Sequence, residues 1–149
     1  MPSLLLVEDD RHLREALSAA LTTRGYEVSA FPAALPAMFA LDSGLVVELA
    51  LVDLGLPDRS GVDVVRALRR QRPDAMPLVF TVQDDAPTVI DALRAGARGY
   101  LLKSTRLERL VEALDEARLG GVPMSAQVAR YLVAQLPAEE DAGRLDALT

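Results

Sequence analysis

The sequence contains no cysteine and only one histidine, His12, among its 149 residues. The absence of cysteine excludes disulfide frameworks, zinc sites built on thiolates and cysteine nucleophiles. A single histidine excludes metal sites that need several imidazoles, and it argues against catalysis led by histidine. The formal net charge of −6 and the pI near 4.8 argue against nucleic-acid binding by these residues themselves.

Long hydrophobic runs are also missing. No apolar segment of the sequence approaches the roughly 20 residues of a membrane helix. Glu8, Asp9 and Asp10 interrupt the apolar start too early for a signal peptide. We therefore expect a soluble, cytoplasmic protein that has no membrane partner. The hydrophobic fraction of 50% is enough to bury the core of one domain, and a chain of this length is typical of one domain.

Strand-like and helix-like segments alternate along the chain. Short apolar runs, typical of strands, occupy residues 4–7, 26–31, 46–52, 78–80 and 100–102. Between them, apolar residues recur at helical spacing. The second helix is predicted over residues 33–41, interrupted or delayed by Pro36. Asp85 is predicted to cap the fourth helix, and a capping box over residues 105–108 to open the fifth. Strands that are apolar on both faces, joined by right-handed helical crossovers, predict a doubly wound α/β fold with a parallel sheet.

The C-terminal part of the chain departs from this alternation. After Gly120 and Gly121, one extra helix is predicted over residues 125–136, with Val128, Leu132 and Leu136 on one packing face. Residues 137–143 are polar and acidic, so we expect a linker there. We accordingly assign residues 1–120 to the main domain and residues 121–149 to a C-terminal helix and linker.

Polar residues stand where four of the predicted strands end, which is the edge at which open α/β sheets bind ligands. Glu8 and Asp9 follow the first strand, Asp53 the third, Thr81 the fourth and Lys103 the fifth. Carboxylates held close together repel one another unless a cation neutralises them. Ligands that are all oxygens favour Mg²⁺ or a similar hard ion over zinc. With Lys103 as a second positive centre, the set suits phosphoryl transfer in which Asp53 is the nucleophile.

Each of these residues, taken alone, also has an ordinary structural explanation. Asp10 is predicted to cap the first helix, and an isolated aspartate such as Asp53 more often forms a turn. A lone Lys103 is usually solvated, and a lone Tyr100 is usually a packing aromatic. The joint placement at four strand ends is what favours a functional site.

Four motifs in this order resemble the CheY-like receiver domain of two-component response regulators. They are LLVEDD at residues 5–10, VDLGLPD at residues 52–58 with Gly61, the pair Phe80–Thr81, and GYLLK at residues 99–103. Any one of them is a weak signal, but their ordered combination is specific. The resemblance covers about residues 3–120, the predicted receiver domain. It implies a flavodoxin-like (βα)5 sheet with strand order 2-1-3-4-5, to which the C-terminal helix is an addition.

The resemblance also implies a phosphoacceptor and a metal site. Asp53 would accept a phosphoryl group from the phosphohistidine of a sensor histidine kinase. The side chains of Asp9 and Asp53 and the backbone carbonyl of Gly55 would bind Mg²⁺, while Glu8 would act directly or through water. The domain would assist its own phosphorylation and dephosphorylation, and it would not otherwise be an enzyme.

The remaining implied roles concern the switch. Lys103 would pair with a phosphoryl oxygen, Thr81 would hydrogen-bond the phosphoryl group, and Tyr100 would change rotamer as the loops close. The added charge would then bias a two-state equilibrium. Val82 stands where the family usually has a small residue, so we expect it to crowd the phosphoryl pocket and either slow phosphoryl exchange or restrict access for small donors.

The tail carries a second resemblance. Residues 120–125, the following helix and the terminal Leu148–Thr149 look like the linker of the NarL/FixJ class, which leads to a LuxR-type DNA-binding domain. We therefore expect control of transcription, with DNA contacted only through a C-terminal domain that is absent from this sequence. A homodimer that depends on phosphorylation is left open.

The sequence has three alternative functional interpretations. A degenerate receiver that acts as a phosphorylation-independent interaction module is the main alternative, which the complete set of site residues disfavours. A haloacid-dehalogenase-like phosphohydrolase needs a second acid two residues after the nucleophile, where this chain has Gly55. A flavodoxin-like FMN binder needs a phosphate loop after the first strand, where the acids Glu8, Asp9 and Asp10 would repel phosphate.

Overall fold

The computed structural model describes residues 1–135, which form a parallel sheet of five strands with helices on both faces. The strands are β1 (Ser3–Val7), β2 (Glu27–Phe31), β3 (Leu49–Val52), β4 (Met76–Thr81) and β5 (Gly99–Leu102). The helices are α1 (Arg11–Thr23), α2 (Ala34–Asp42), α3 (Gly61–Gln71), α4 (Ala86–Ala95), α5 (Leu107–Arg118) and α6 (Ala126–Gln135). The sheet order β2-β1-β3-β4-β5 confirms the predicted doubly wound fold.

Three sequence predictions fall on residues that the structure does not describe. Leu136, the predicted linker at residues 137–143 and the terminal Leu148–Thr149 lie outside the described range. Among the helices within that range, none combines the length and the apolar character that a membrane span requires.

Successive residues of the central strands pack on opposite faces of the sheet. In β1, Leu4 and Leu6 contribute to a core with α1 and α5, while Leu5 and Val7 contribute to a core with α2 and α3. All four side chains are at most 1% exposed. Burying each apolar side chain of this size is worth about 1.5–3 kcal/mol. Because both faces are covered, the central strands β1, β3 and β4 carry polar residues only at their ends.

Strand β3 is shorter than predicted, and its first predicted residue lies in solvent. The pairing of β1 with β3 starts at Leu4 and Leu49, so residues 46–48 come before the paired part of the strand. Val46 is 66% exposed, whereas Val47 is buried. The apolar run in the sequence therefore includes an approach segment, which periodicity could not separate from the strand.

Pro36 does not interrupt α2, contrary to the prediction. It lies in the first turn of the helix, where the backbone amide has no intrahelical acceptor and proline is tolerated. The cap comes from a distant residue, since the Asp58 carboxylate accepts the N–H groups of Ala34 (2.9 Å) and Leu35 (2.7 Å). Backbone hydrogen bonds, that of Leu35 foremost, lower the pKa of Asp58. Asp58 thereby ties the loop after β3 to α2.

Two predicted helix caps are confirmed and one is wrong. Asp10 caps α1 and Asp85 caps α4, each by accepting a backbone N–H of the first turn. The predicted capping box at Thr105 does not form. The N-cap of α5 is Arg106, which makes no side-chain capping hydrogen bond within the described residues. The Thr105 N–H instead donates to the Leu102 carbonyl, because the chain is still turning away from β5.

The close approach of α3 to the end of β3 predicts a strict requirement for glycine at residue 61. A Cβ on Gly61 would collide with the backbone oxygen of Asp53 and would lie 2.8 Å from the Leu54 Cα. We expect Gly61→Ala to lower the free energy of unfolding by about 1–3 kcal/mol, as overpacking does. Urea denaturation measures this quantity.

Gly55→Ala is the matched control, because a Cβ there would make only ordinary contacts, the nearest at 3.6 Å. Its effect should stay within about 0.5 kcal/mol. Equal effects of the two substitutions would show that the approach of α3 is not constrained by residue 61.

Candidate functional site

The acidic residues that follow β1 and β3 converge at the carboxyl edge of the sheet. Glu8, Asp9 and Asp53 each offer one carboxylate oxygen, and these oxygens lie within 4.8 Å of one another. Glu8 and Asp53 are buried, at 1% and 5% exposure. Asp9 is exposed, so the cluster has a buried floor and one acid at its rim.

Lys103 lies between the two buried acids. Its Nζ is 2.8 Å from Oδ2 of Asp53, to which it donates a hydrogen bond, and 2.7 Å from Oε1 of Glu8. Burial alone would lower the pKa of Lys103, but the hydrogen bonds and charges of Asp53 and Glu8 outweigh this effect and raise it. The side chain therefore stays charged. It is the only lysine in the sequence.

Negative charge still exceeds positive charge in this cluster. Three carboxylates face one ammonium group, so two negative charges remain when all the acids are ionised. Burial raises the pKa of Glu8, and the charge of Asp53 adds to the rise against the opposing effects of Lys103 and the Asp10 amide. A doubly charged cation would balance the cluster and remove this repulsion.

One buried atom of the site supports cation binding directly. Oε1 of Glu8 is buried, and among the described residues its one close partner is the ammonium group of Lys103, 2.7 Å away. Buried oxygens are normally satisfied. An atom of this kind beside two further carboxylates fits a hard cation such as Mg²⁺, which prefers oxygen ligands. The donor set therefore fits the predicted ion.

Asp53 is held by its own loop as well as by Lys103. Its backbone N–H donates to the Val7 carbonyl at 3.0 Å, which continues the β1–β3 pairing. Its Oδ1 accepts the Gly55 N–H at 3.1 Å. Each carboxylate oxygen of Asp53 thus has one donor, and the side chain points into the acidic cluster with a fixed orientation.

The other side of the site is built by the ends of β4 and β5. Thr81 is fully buried, and its Oγ accepts the backbone N–H of Gln83 at 3.3 Å. Tyr100 is also fully buried, and its hydroxyl donates to the Gln83 carbonyl at 2.6 Å. Burial, followed by the charges of Asp85 and other nearby acids, raises the pKa of Tyr100. Tyr100 therefore occupies an inward rotamer, as a neutral donor.

Val82 lies beside the site and not within its buried part. Its side chain is 74% exposed, although the neighbouring Thr81 is fully buried. Any effect on the phosphoryl pocket would therefore act at the entrance from solvent. The predicted slowing of phosphoryl exchange stays a prediction.

Sequence reasoning missed two residues that organise the site. Nη1 of Arg14 donates to the Glu8 carbonyl at 2.9 Å and lies 3.4 Å from the Asp9 carbonyl, so it holds the loop that presents both acids. Gln83 links Thr81 to Tyr100 through its backbone alone. An arginine one turn into α1, just after an acidic loop, could have indicated the first contact. Backbone contacts such as those of Gln83 can be made by any type of residue, so the sequence does not indicate them.

Comparison with known proteins identifies the arrangement. The family described as the response regulator receiver domain matches residues 4–115. The two-component response regulator PhoP of Pseudomonas aeruginosa is 37% identical over 119 residues, which are 80% of this chain and 50% of that protein. In three curated relatives that match, the aligned segment makes up 50%, 61% and 25% of the relative's length. The chain therefore spans only part of each of these proteins.

Solved structures agree with this result. A LuxR-family two-component response regulator from Aurantimonas superimposes with a TM-score of 0.80 and 28% identity, over 89% of this chain and 96% of that chain. A response regulator protein from Burkholderia pseudomallei, solved with a phosphorylated aspartic acid, a calcium ion and citrate, has a TM-score of 0.72 and 28% identity. That superposition covers 80% of this chain and 70% of that chain.

Removing the ammonium group of the site should reveal how much the acidic cluster depends on it. Lys103→Met leaves Glu8 and Asp53 buried without their counter-charge, so we expect a loss of about 3 kcal/mol in the free energy of unfolding in EDTA. Mg²⁺ should restore more stability to the variant than it adds to the wild type, because the variant site is more negative. Urea denaturation with and without Mg²⁺ measures both effects.

Arg66→Met is the control, since it breaks an exposed ion pair with Asp63. Its cost should stay below about 1 kcal/mol, and the response to Mg²⁺ should not change. If Lys103→Met cost no more than this control, the acidic cluster would not depend on Lys103.

Proposed function

Since the chain belongs to the response regulator receiver domain family, we propose that it is a switch phosphorylated on Asp53 by a sensor histidine kinase. The P–N bond of a phosphohistidine would break, and a bond would form between phosphorus and an Asp53 carboxylate oxygen. The product is an acyl phosphate, and the imidazole of the kinase is the leaving group. The supporting observation is the buried Asp53 carboxylate beside an ammonium group and two further acids.

Glu8, Asp9 and Asp53 would hold Mg²⁺ through their side chains, and Gly55 would add its backbone carbonyl. When bound, the ion supplies positive charge that offsets the repulsion between the carboxylates and the incoming phosphoryl oxygens. The buried Oε1 of Glu8, which has Lys103 as its one close partner among the described residues, supports direct coordination by Glu8. The sequence alone left open whether this contact is direct or water-mediated.

Lys103 and Thr81 would stabilise the phosphorylated state. Lys103 now donates to Oδ2 of Asp53, and its flexible side chain would transfer this hydrogen bond to a phosphoryl oxygen once the acyl phosphate forms. Thr81 accepts a hydrogen bond from Gln83, so its own O–H is left to donate to the phosphoryl group. A change at Thr81 would affect Tyr100 through Gln83, because the Gln83 carbonyl accepts the hydrogen bond of the Tyr100 hydroxyl.

The output we propose is control of transcription. The supporting evidence is the likeness to a LuxR-family response regulator together with the linker-like residues 120–125. In this proposal residues 1–120 are the receiver and residues 121–149 lead to a DNA-binding domain, which alone would contact DNA. A phosphorylation-dependent homodimer is one way in which such an output could be controlled.

Phosphorylation of a single carboxylate is the direct test. Incubation with acetyl phosphate or a histidine kinase, with Mg²⁺, should add one phosphoryl group to the intact mass of the protein. We expect Asp53→Asn to abolish the addition, because an amide is not a nucleophile for phosphorus under these conditions. EDTA should abolish it in the wild type.

Asp74→Asn is the matched control, since Asp74 is exposed and precedes β4 at the opposite end of the sheet. It should be phosphorylated like the wild type. Failure of the wild type with both donors would favour the phosphorylation-independent interaction module.

The exposed Val82 gives a second kinetic prediction. We expect Val82→Ala to lose its phosphoryl group faster than the wild type, because a smaller side chain at the entrance admits water more readily. The decay of the phosphorylated mass over time, after removal of the donor, measures the rate. Equal rates for wild type and Val82→Ala would remove the proposed role of this side chain.

A further inference from the structure

The C-terminal segment, residues 122–135, pairs with the free edge of the sheet. The Tyr100 N–H donates to the Pro123 carbonyl at 3.1 Å, and the Ser125 N–H donates to the Tyr100 carbonyl at 3.0 Å. The Leu102 N–H donates to Oγ of Ser125 at 3.2 Å. An edge strand normally presents such groups to solvent or to another chain. Here the protein's own C-terminal segment satisfies them.

Apolar packing extends this contact from β5 to α4. Val128 of α6 is fully buried and shares a hydrophobic cluster with Val89 and Ala92 of α4 and with Tyr100. Met124 and Leu132 are partly buried against the same cluster. Val128 and Leu132 belong to the packing face predicted from the sequence, and the cluster around α4 and Tyr100 receives this face.

A chain of hydrogen bonds joins this contact to the functional site. Thr81 accepts from the Gln83 N–H, and the Gln83 carbonyl accepts from the Tyr100 hydroxyl. Both backbone groups of Tyr100 then bond to the C-terminal segment, at Pro123 and Ser125. Tyr100 therefore contacts the β4–α4 loop with its side chain and the C-terminal segment with its backbone.

We propose that the edge of β5 and the adjoining face of α4 form a docking surface for the C-terminal segment, and that a phosphoryl group on Asp53 tightens this docking. The second half rests on the proposed function. A phosphoryl oxygen that accepts the Thr81 O–H would fix Thr81, and with it Gln83 and the inward Tyr100 on which the segment is seated. By thermodynamic reciprocity, the docked segment would stabilise the phosphorylated state by the same factor.

This arrangement has a consequence for interactions between chains. While the segment is docked, the β5 edge is closed to strand pairing with any other protein. The position of α6, and so of the residues that follow it, would depend on the state of Asp53.

The docking is testable without phosphorylation, by amide hydrogen exchange on the full chain. Val128→Asp places a charge in the buried contact, so we expect exchange at Tyr100, Leu102 and Ser125 to accelerate by more than about tenfold. Val133→Asp is the matched control on the same helix, because Val133 is 67% exposed, and it should leave these rates unchanged. Equal rates in the two variants would overturn the docking surface.

Gly99→Ala provides an independent perturbation that leaves α6 intact. A Cβ at residue 99 would lie 2.5 Å from the Pro123 carbonyl oxygen, 3.0 Å from the Pro123 Cγ and 3.3 Å from the Leu78 Cγ. The two shortest distances are to the segment, so the segment would have to move away from the strand edge. The same amides should lose protection while the melting curve stays cooperative. If Val128→Asp unfolded the whole chain, Gly99→Ala would decide the question, and full protection in this variant would overturn the proposal.

The coupling is tested with beryllofluoride and Mg²⁺ as a phosphoryl mimic, with binding followed by fluorine NMR. We expect the mimic to slow exchange of the Tyr100 and Ser125 amides about fivefold, and Val128→Asp to weaken mimic binding by a similar factor. Val133→Asp should bind it like the wild type. If the mimic bound but changed neither exchange nor the affinity of Val128→Asp, the coupling would be overturned while phosphorylation stood. If neither the mimic nor a phosphodonor acted, the proposed function and the coupling would fall together, and the docking would be judged on exchange alone.

Discussion

Repulsion between the acids at the carboxyl edge of the sheet is the constraint on which the site depends. Two of the three carboxylates are buried, where charge is expensive unless it is paired. Lys103 contacts both of them. The sequence has 15 arginines and one lysine, and this lysine lies where a compact, mobile charge is needed. A planar guanidinium suits a fixed partner, whereas an ammonium on a flexible stem can pass from a carboxylate to a phosphoryl oxygen.

The apolar packing of the sheet holds the charged residues at the strand ends close together. Its central strands are covered on both faces, so side chains such as Leu5 and Leu51 anchor the strand ends with little freedom. The strand order was implied by the family resemblance alone. The convergence of the strand ends follows from local patterns, because short apolar runs end abruptly at polar residues. Asp10 and Asp85 were predictable as caps for the same reason, since a cap acts within one turn of its own helix.

Features that depend on distant residues could not be predicted in this way. Asp58 caps α2 from 24 residues along the chain, so the helix starts cleanly in spite of Pro36 and without a cap of its own. The capping box expected at Thr105 fails because the turn after β5 takes one more residue than the local pattern indicates. Arg14 donates to a backbone carbonyl group, and Gln83 makes its contacts through its own backbone groups. Backbone groups are present at every residue, so the sequence does not indicate these contacts.

Tyr100 shows why the site and the C-terminal segment cannot be considered separately. Its ring fills the apolar cluster between α4 and α6, its hydroxyl holds the β4–α4 loop, and its backbone pairs with residues 123 and 125. An outward rotamer would break the hydrogen bond to Gln83 and leave a cavity beside Val128, which is costly in a close-packed core. A change at Thr81 that favours or disfavours the inward ring must therefore alter the stability of the α6 contact. Any change that moves Tyr100 therefore also alters the packing and the hydrogen bonds of the C-terminal segment.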